Sequence, residues 1–135
     1  MENITEIVNF SKHPINDRDY INVCKKKLHD NSLLVLKGFL LNQSLANLLK
    51  EASELENLAF YCSQKHTVLL SKFNTNLKIT DPLNHMMTSD KGCVPHDLIK
   101  ENSDLNNLYK SKVFRNFLIQ ILNLKKIYPY CDKLS

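Results

Sequence analysis

The sequence predicts a single α+β domain, rich in helix with a few strands. Three observations carry that expectation. Only two glycines occur in 135 residues, too few positive-φ positions for the tight turns of a β-sandwich. Several stretches repeat apolar residues at i, i+3 and i+4, the signature of a helix buried on one side. Between them lie short apolar runs with β-branched residues, of strand length.

Residues 1–14 are expected to be a flexible lead-in that ends at His13-Pro14. Asp17 then sits as an N-cap, and Tyr20, Val23, Cys24 and Leu28 form one helical stripe, broken at His29-Asp30-Asn31. "SLLVLKGFLL", 32–41, reads as a short buried strand with Gly38 inside it. "NQSLANLLKEASELENLAFY", 42–61, is the clearest helix. Leu45, Leu48, Leu49, Ala52 and Leu55 make its apolar stripe, Asn42 or Ser44 its cap, and Lys50, Glu51 and Glu54 its outer face.

"KHTVLLSKF", 65–73, reads as a second strand, and Asn74 to Pro95, with Asp81-Pro82 and Gly92, as a long ordered loop. Ser103 caps a short helix through Tyr109. A further helix starts at Ser111, with Val113, Phe114, Phe117, Leu118, Ile121 and Leu122 on one side. The chain then turns extended through Ile127-Tyr128-Pro129-Tyr130.

Charge and composition exclude some functions. The net charge of +4 is spread thinly; Lys25-Lys26-Lys27 is the densest basic run, and Arg18 and Arg115 are the two arginines. A nucleic-acid binder gathers such residues on one face, so no nucleic-acid partner is expected. No stretch approaches the ~20 apolar residues of a membrane span. The acidic Met1-Glu2-Asn3 start does not read as a signal peptide. The four cysteines, 24, 62, 93 and 131, lie at least thirty residues apart without zinc spacing. A cytoplasmic protein with free thiols is the expectation.

Little catalytic chemistry is spelled out. None of His13, His29, His66, His85 and His96 has Asp or Glu two residues on, so an iron facial triad is not complete in this chain. Gly38 and Gly92 alone cannot build a phosphate loop, and no GxSxG or HExxH occurs. His66, in the 65–73 strand, is the histidine to single out, although a lone histidine is as a rule a satisfied structural residue. "SDKGCVPHDLI", 89–99, is the other candidate, with His96 beside a glycine that permits close approach or simply a turn.

Several stretches in consistent order carry a resemblance: "HPINDRDY", "LLVLKGFLLNQSLANLLKEASEL", "KHTVLL", "TSDKGCVPHDLIKENSDLNNLY", "FRNFLIQIL" and above all "IYPYCDKLS". From His13 to Ser135 the chain resembles the N-terminal part of Fe(II)/2-oxoglutarate-dependent oxygenases of the HalD/BesD type, which include amino-acid halogenases and hydroxylases. In that family a Tyr-Pro-Tyr-x-Asp-Pro-Leu-like segment leads into the jelly-roll (double-stranded β-helix) that carries iron; Lys133 stands here in place of its proline.

The resemblance implies a fragment that stops before the His-x-Asp or His-x-Gly, the distal histidine and the 2-oxoglutarate arginine. It implies Fe(II), 2-oxoglutarate and a free amino acid for the full-length protein, and no cofactor or turnover for this chain alone. It also makes His66, Asp132 and His96 candidates for the substrate wall. The alternative is a stand-alone, mostly helical interaction domain, oligomeric through an exposed C-terminal strand. A small basic nucleic-acid binder is a distant third.

Overall fold

The computed structural model describes residues 4–129. Among them are four helices and one two-stranded antiparallel sheet, an α+β architecture. Helix α1 spans Arg18–Asn31, α2 Asn42–Leu55, α3 Asp104–Lys110 and α4 Lys112–Ile121; strand β1 spans Phe60–Thr67 and β2 Met86–Cys93.

The lead-in is where expectation and structure part first. Ile4, Ile7, Val8 and Ile15 are all buried. A 3-10 turn over Ile4–Glu6 starts the segment, which is then stitched to the stretch before α2: Asn9 N–H donates to the Phe39 carbonyl and Leu41 N–H to the Ile7 carbonyl, flanking a bridge between Val8 and Leu40. Isoleucine and valine at 4, 7 and 8 are themselves an i, i+3, i+4 set, and burying them outweighs the freedom of a loose end.

The partner stretch, expected as a strand, forms only that bridge. Leu33 and Val35 face outward while Leu34, Leu36, Phe39 and Leu40 pack inward, with Gly38 at φ +69° making the turn.

Helix α1 begins where Asp17 accepts the Tyr20 N–H at 2.8 Å, closing one of the four orphan donors of the first turn. It ends at Ser32 in the left-handed region. Its inward face is rotated from the expected stripe: Ile21 and Cys24 are buried, and Val23 is half-exposed. His29 and Asp30 extend the helix rather than break it, because Asp30 accepts from Lys26 and His29. Those two bonds, His29 first, hold the Asp30 carboxyl below its ordinary value.

Helix α4 completes the core with Phe117 and Ile121. Tyr20 stacks on Phe117 at 6.4 Å, and Phe39 lies 5.7 Å from Phe114. Full burial of a ring such as Phe117 contributes about 1.5–3 kcal/mol.

The polar members of this core are satisfied. His13 Nδ1 accepts from the Tyr20 hydroxyl at 2.6 Å, so its Nε2–H donates to the Lys37 carbonyl at 3.1 Å. Burial first, and then the Cys24 thiol, raise the Tyr20 phenol above its ordinary pKa.

Helix α2 forms where expected but ends at Leu55, six residues short: Phe60 and Tyr61, read as part of it, open β1, and its apolar stripe is not covered. Leu45, Leu49 and Ala52 are exposed, Leu48 and Leu55 half-buried, and the buried member of the helix is Ser44. Neither expected residue caps it; the cap position is Leu41, without a side-chain bond. Ser44 instead donates to Asp104 at the start of α3. That short helix and α4 are capped by Ser103 and Ser111 as the sequence suggests. After α4, residues 125–129 pair with no strand among the described residues; Lys126 lies over the exposed Tyr128 ring at 4.4 Å.

Candidate functional site

Strand β1 begins five residues before the expected strand and ends at Thr67, and β2 lies inside the stretch read as a loop. The register runs from Phe60↔Cys93 to Thr67↔Met86. Gly92 is therefore a strand residue, not a turn. It faces Tyr61, and a Cβ there would come within 2.7 Å of the Tyr61 ring.

The actual loop, 68–85, is tied at both ends. Thr67 and Ser71 hydroxyls share a 2.7 Å bond. Buried Asn84 accepts from Asn74 N–H and donates to the carbonyls of Asn74 and Lys78.

Alternation puts Phe60, Cys62, Gln64 and His66 on one face of the hairpin with Met87, Ser89, Lys91 and Cys93. On that face half-buried His66 is held at both ring nitrogens. Nδ1 lies 2.7 Å from the Thr67 carbonyl and Nε2 2.5 Å from Ser89 Oγ. A carbonyl can only accept, so Nδ1 carries the proton of the neutral ring and Nε2 accepts from the Ser89 hydroxyl. His66 is a satisfied histidine, and its partner is a hydroxyl that sequence reasoning did not single out.

The other candidates do not join it. His96 is exposed and opens the 3-10 turn His96–Leu98, three residues past the far end of β2. The six steps of β2 from Met87, opposite His66, to Cys93 already span roughly 20 Å, and His96 follows that far end. Asp132 lies outside the described residues. Asp90 and Lys91 are exposed.

Concavities also lie among the described residues: a shallow one on the hairpin, of about 420 Å³, is lined by Tyr61, Cys62, Ser63, Asp90, Lys91 and Gly92. A polar cleft of about 210 Å³ between α2 and the entry to α3 is lined by Glu51, Glu54, Lys100 and Asp104 among others. Asp104 there accepts from Ser44 at 2.8 Å and Asn47 at 3.0 Å, and Glu51 Oε1 is buried without a hydrogen-bond partner. An open apolar cleft of about 490 Å³ lies between the 32–39 stretch and α4, lined by Leu33, Leu36, Phe39, Phe114 and Leu118 among others.

Among the described residues no three His, Cys, Asp or Glu side chains stand close enough to hold a metal ion. They do not fit an iron centre, and no step through iron follows from them. No described helix is long and apolar enough to cross a membrane. Compared with protein-family models, curated proteins and solved structures, the chain matches none.

Proposed function

We propose that this chain is an interaction unit whose open apolar face is covered by a second protein body. That body is the jelly-roll of an Fe(II)/2-oxoglutarate-dependent oxygenase acting on a free amino acid or similar small molecule in the cytoplasm, and this chain is its N-terminal part. Hydroxylase and halogenase outcomes both remain within the reading, since iron, 2-oxoglutarate and the deciding residue belong to the jelly-roll.

One observation carries the interaction role: both α2 and the 68–85 loop leave large apolar residues in water. Leu45, Leu49, Val68, Leu69, Leu70, Phe73 and Ile79 are all exposed, and Ile79 is 83% accessible. The consecutive Val68, Leu69 and Leu70, and the Leu45–Leu49 turn of α2, each leave a local apolar patch in water, and such patches mark contact surfaces. The resemblance of the "IYPYCDKLS" segment to the lead-in of the jelly-roll names the partner body.

A second reading is a stand-alone interaction domain whose partner is another chain. The core of Ile4, Ile7, Val8, Ile21, Phe117 and Ile121 favours it, because it closes without help from a jelly-roll.

Reading the coding sequence beyond the Ser135 codon separates the two. An in-frame continuation with His-x-Asp or His-x-Gly supports the oxygenase. A stop codon there overturns it and leaves the stand-alone domain, for which sedimentation of the purified chain should show self-association or a co-purifying partner.

A further inference from the structure

We propose that Ser89 is a nucleophile activated by His66, and that this face of the hairpin accepts acyl groups from small carboxylic esters. A hydroxyl becomes a nucleophile when a base takes its proton and a third group holds the base in the right tautomer. All three parts are present. Ser89 Oγ is 2.5 Å from His66 Nε2, and His66 Nδ1 is 2.7 Å from the Thr67 carbonyl, which fixes the proton on Nδ1 and leaves the Nε2 lone pair facing the hydroxyl.

The arrangement comes from the register. His66 sits opposite Met87, so Ser89 is its diagonal neighbour on the same face. Both side chains are half-buried, shielded yet reachable. Gln64 stands directly opposite Ser89, and Lys91 follows Ser89 on the same face of β2. A carboxamide and an ammonium beside the nucleophile are the donor types that stabilise a developing oxyanion.

The reaction balances with water as the second substrate. Ser89 Oγ attacks the ester carbonyl as its proton passes to His66 Nε2. The C–O bond to the alcohol breaks, and the alcohol leaves with that proton. Water then attacks the acyl-serine, giving its proton to Nε2, and Ser89 regains the proton as the carboxylic acid departs.

The test uses the whole chain and a fluorophosphonate probe, from which a serine oxygen displaces fluoride. The expected result is one phosphonyl group per chain, mapped to the peptide containing Ser89, absent in Ser89→Ala and slowed on the order of 100-fold in His66→Gln, the scale of a lost general base. p-Nitrophenyl acetate should show the same order of rates.

Heat-unfolded protein sets the background. Circular dichroism identifies variants that fail to fold. For these, Ser89→Cys gives a second measurement that needs no change at His66: iodoacetamide should alkylate its new thiol, mapped by peptide, faster in the folded chain than in the heat-unfolded one. Labelling at background level, labelling at another residue, or a rate unchanged by His66→Gln would each overturn the proposal.

Discussion

The two halves of this molecule spend similar apolar residues in opposite ways. Around α1 and α4, Ile4, Ile7, Ile15, Ile21, Ile121 and Phe117 hardly touch water, and the half-buried rings of Tyr20, Phe39 and Phe114 pack against them. In the hairpin and its loop, Phe60, Tyr61, Leu69, Leu70 and Ile79 are turned outward, and what holds the chain is polar: strand bonds, the Thr67–Ser71 contact, the Asn84 clasp and the His66–Ser89 pair. Apolar content is thus a poor guide to burial. The first half is stabilised by area removed from water, and the second by hydrogen bonds, each worth about 1 kcal/mol net.

The sharpest break of that contrast is a pair of truncations. Phe117→Ala, at a side chain 1% exposed, should cost about 3–5 kcal/mol, enough to lower the melting temperature drastically or abolish folding. Ile79→Ala should change stability by less than about 0.5 kcal/mol, as surface substitutions do. Thermal melts of the two variants with similar midpoints would refute the division.

A smaller effect is expected at the clasp. Asn84→Ala removes three hydrogen bonds and leaves the Asn74 amide and two carbonyls without their partner, costing about 1–3 kcal/mol. Hydrogen exchange should speed up through 68–85 while the amides of α1 and α4 keep their protection. Uniform loss of protection would mean that the two halves unfold together.

The smallest effect lies in the core and depends on pH. The Tyr20 phenol is raised in the folded chain, so the folded state holds its proton more tightly than the unfolded one. Its stabilisation is complete below the ordinary tyrosine value of about 10 and is lost as pH rises toward the raised one. The stability gap between wild type and Tyr20→Phe should therefore narrow in denaturant melts above pH 10, and a constant gap would contradict the assignment.

What could be read from residues alone follows this same division. Asp17, Ser103 and Ser111 announce their helices because a cap is a local bond, made within three residues. The stripe of α4 is legible in part: Phe117 and Ile121 are buried and Val113, Phe114 and Leu118 half-buried, while Leu122, also expected inward, lies past the helix end and is exposed. By contrast β2, "MMTSDKGC", has no alternation to read, since nearly every residue on both its faces is exposed and Asp, Lys and Gly are poor strand formers. The Leu45–Leu49 stripe correctly signals a helix but not its surroundings.

His66 stood out by type, and Ser89 did not, because nothing local relates residues 23 apart. The sequence by itself determined the α+β class, three of the helix starts and the residue types available for chemistry, all set by neighbours along the chain. Tertiary structure alone decided that the first residues belong to the core, that α2 and the loop stay open, and that a serine meets a histidine. Those outcomes depend on strand register and on which faces find cover, and both are fixed only when distant segments meet.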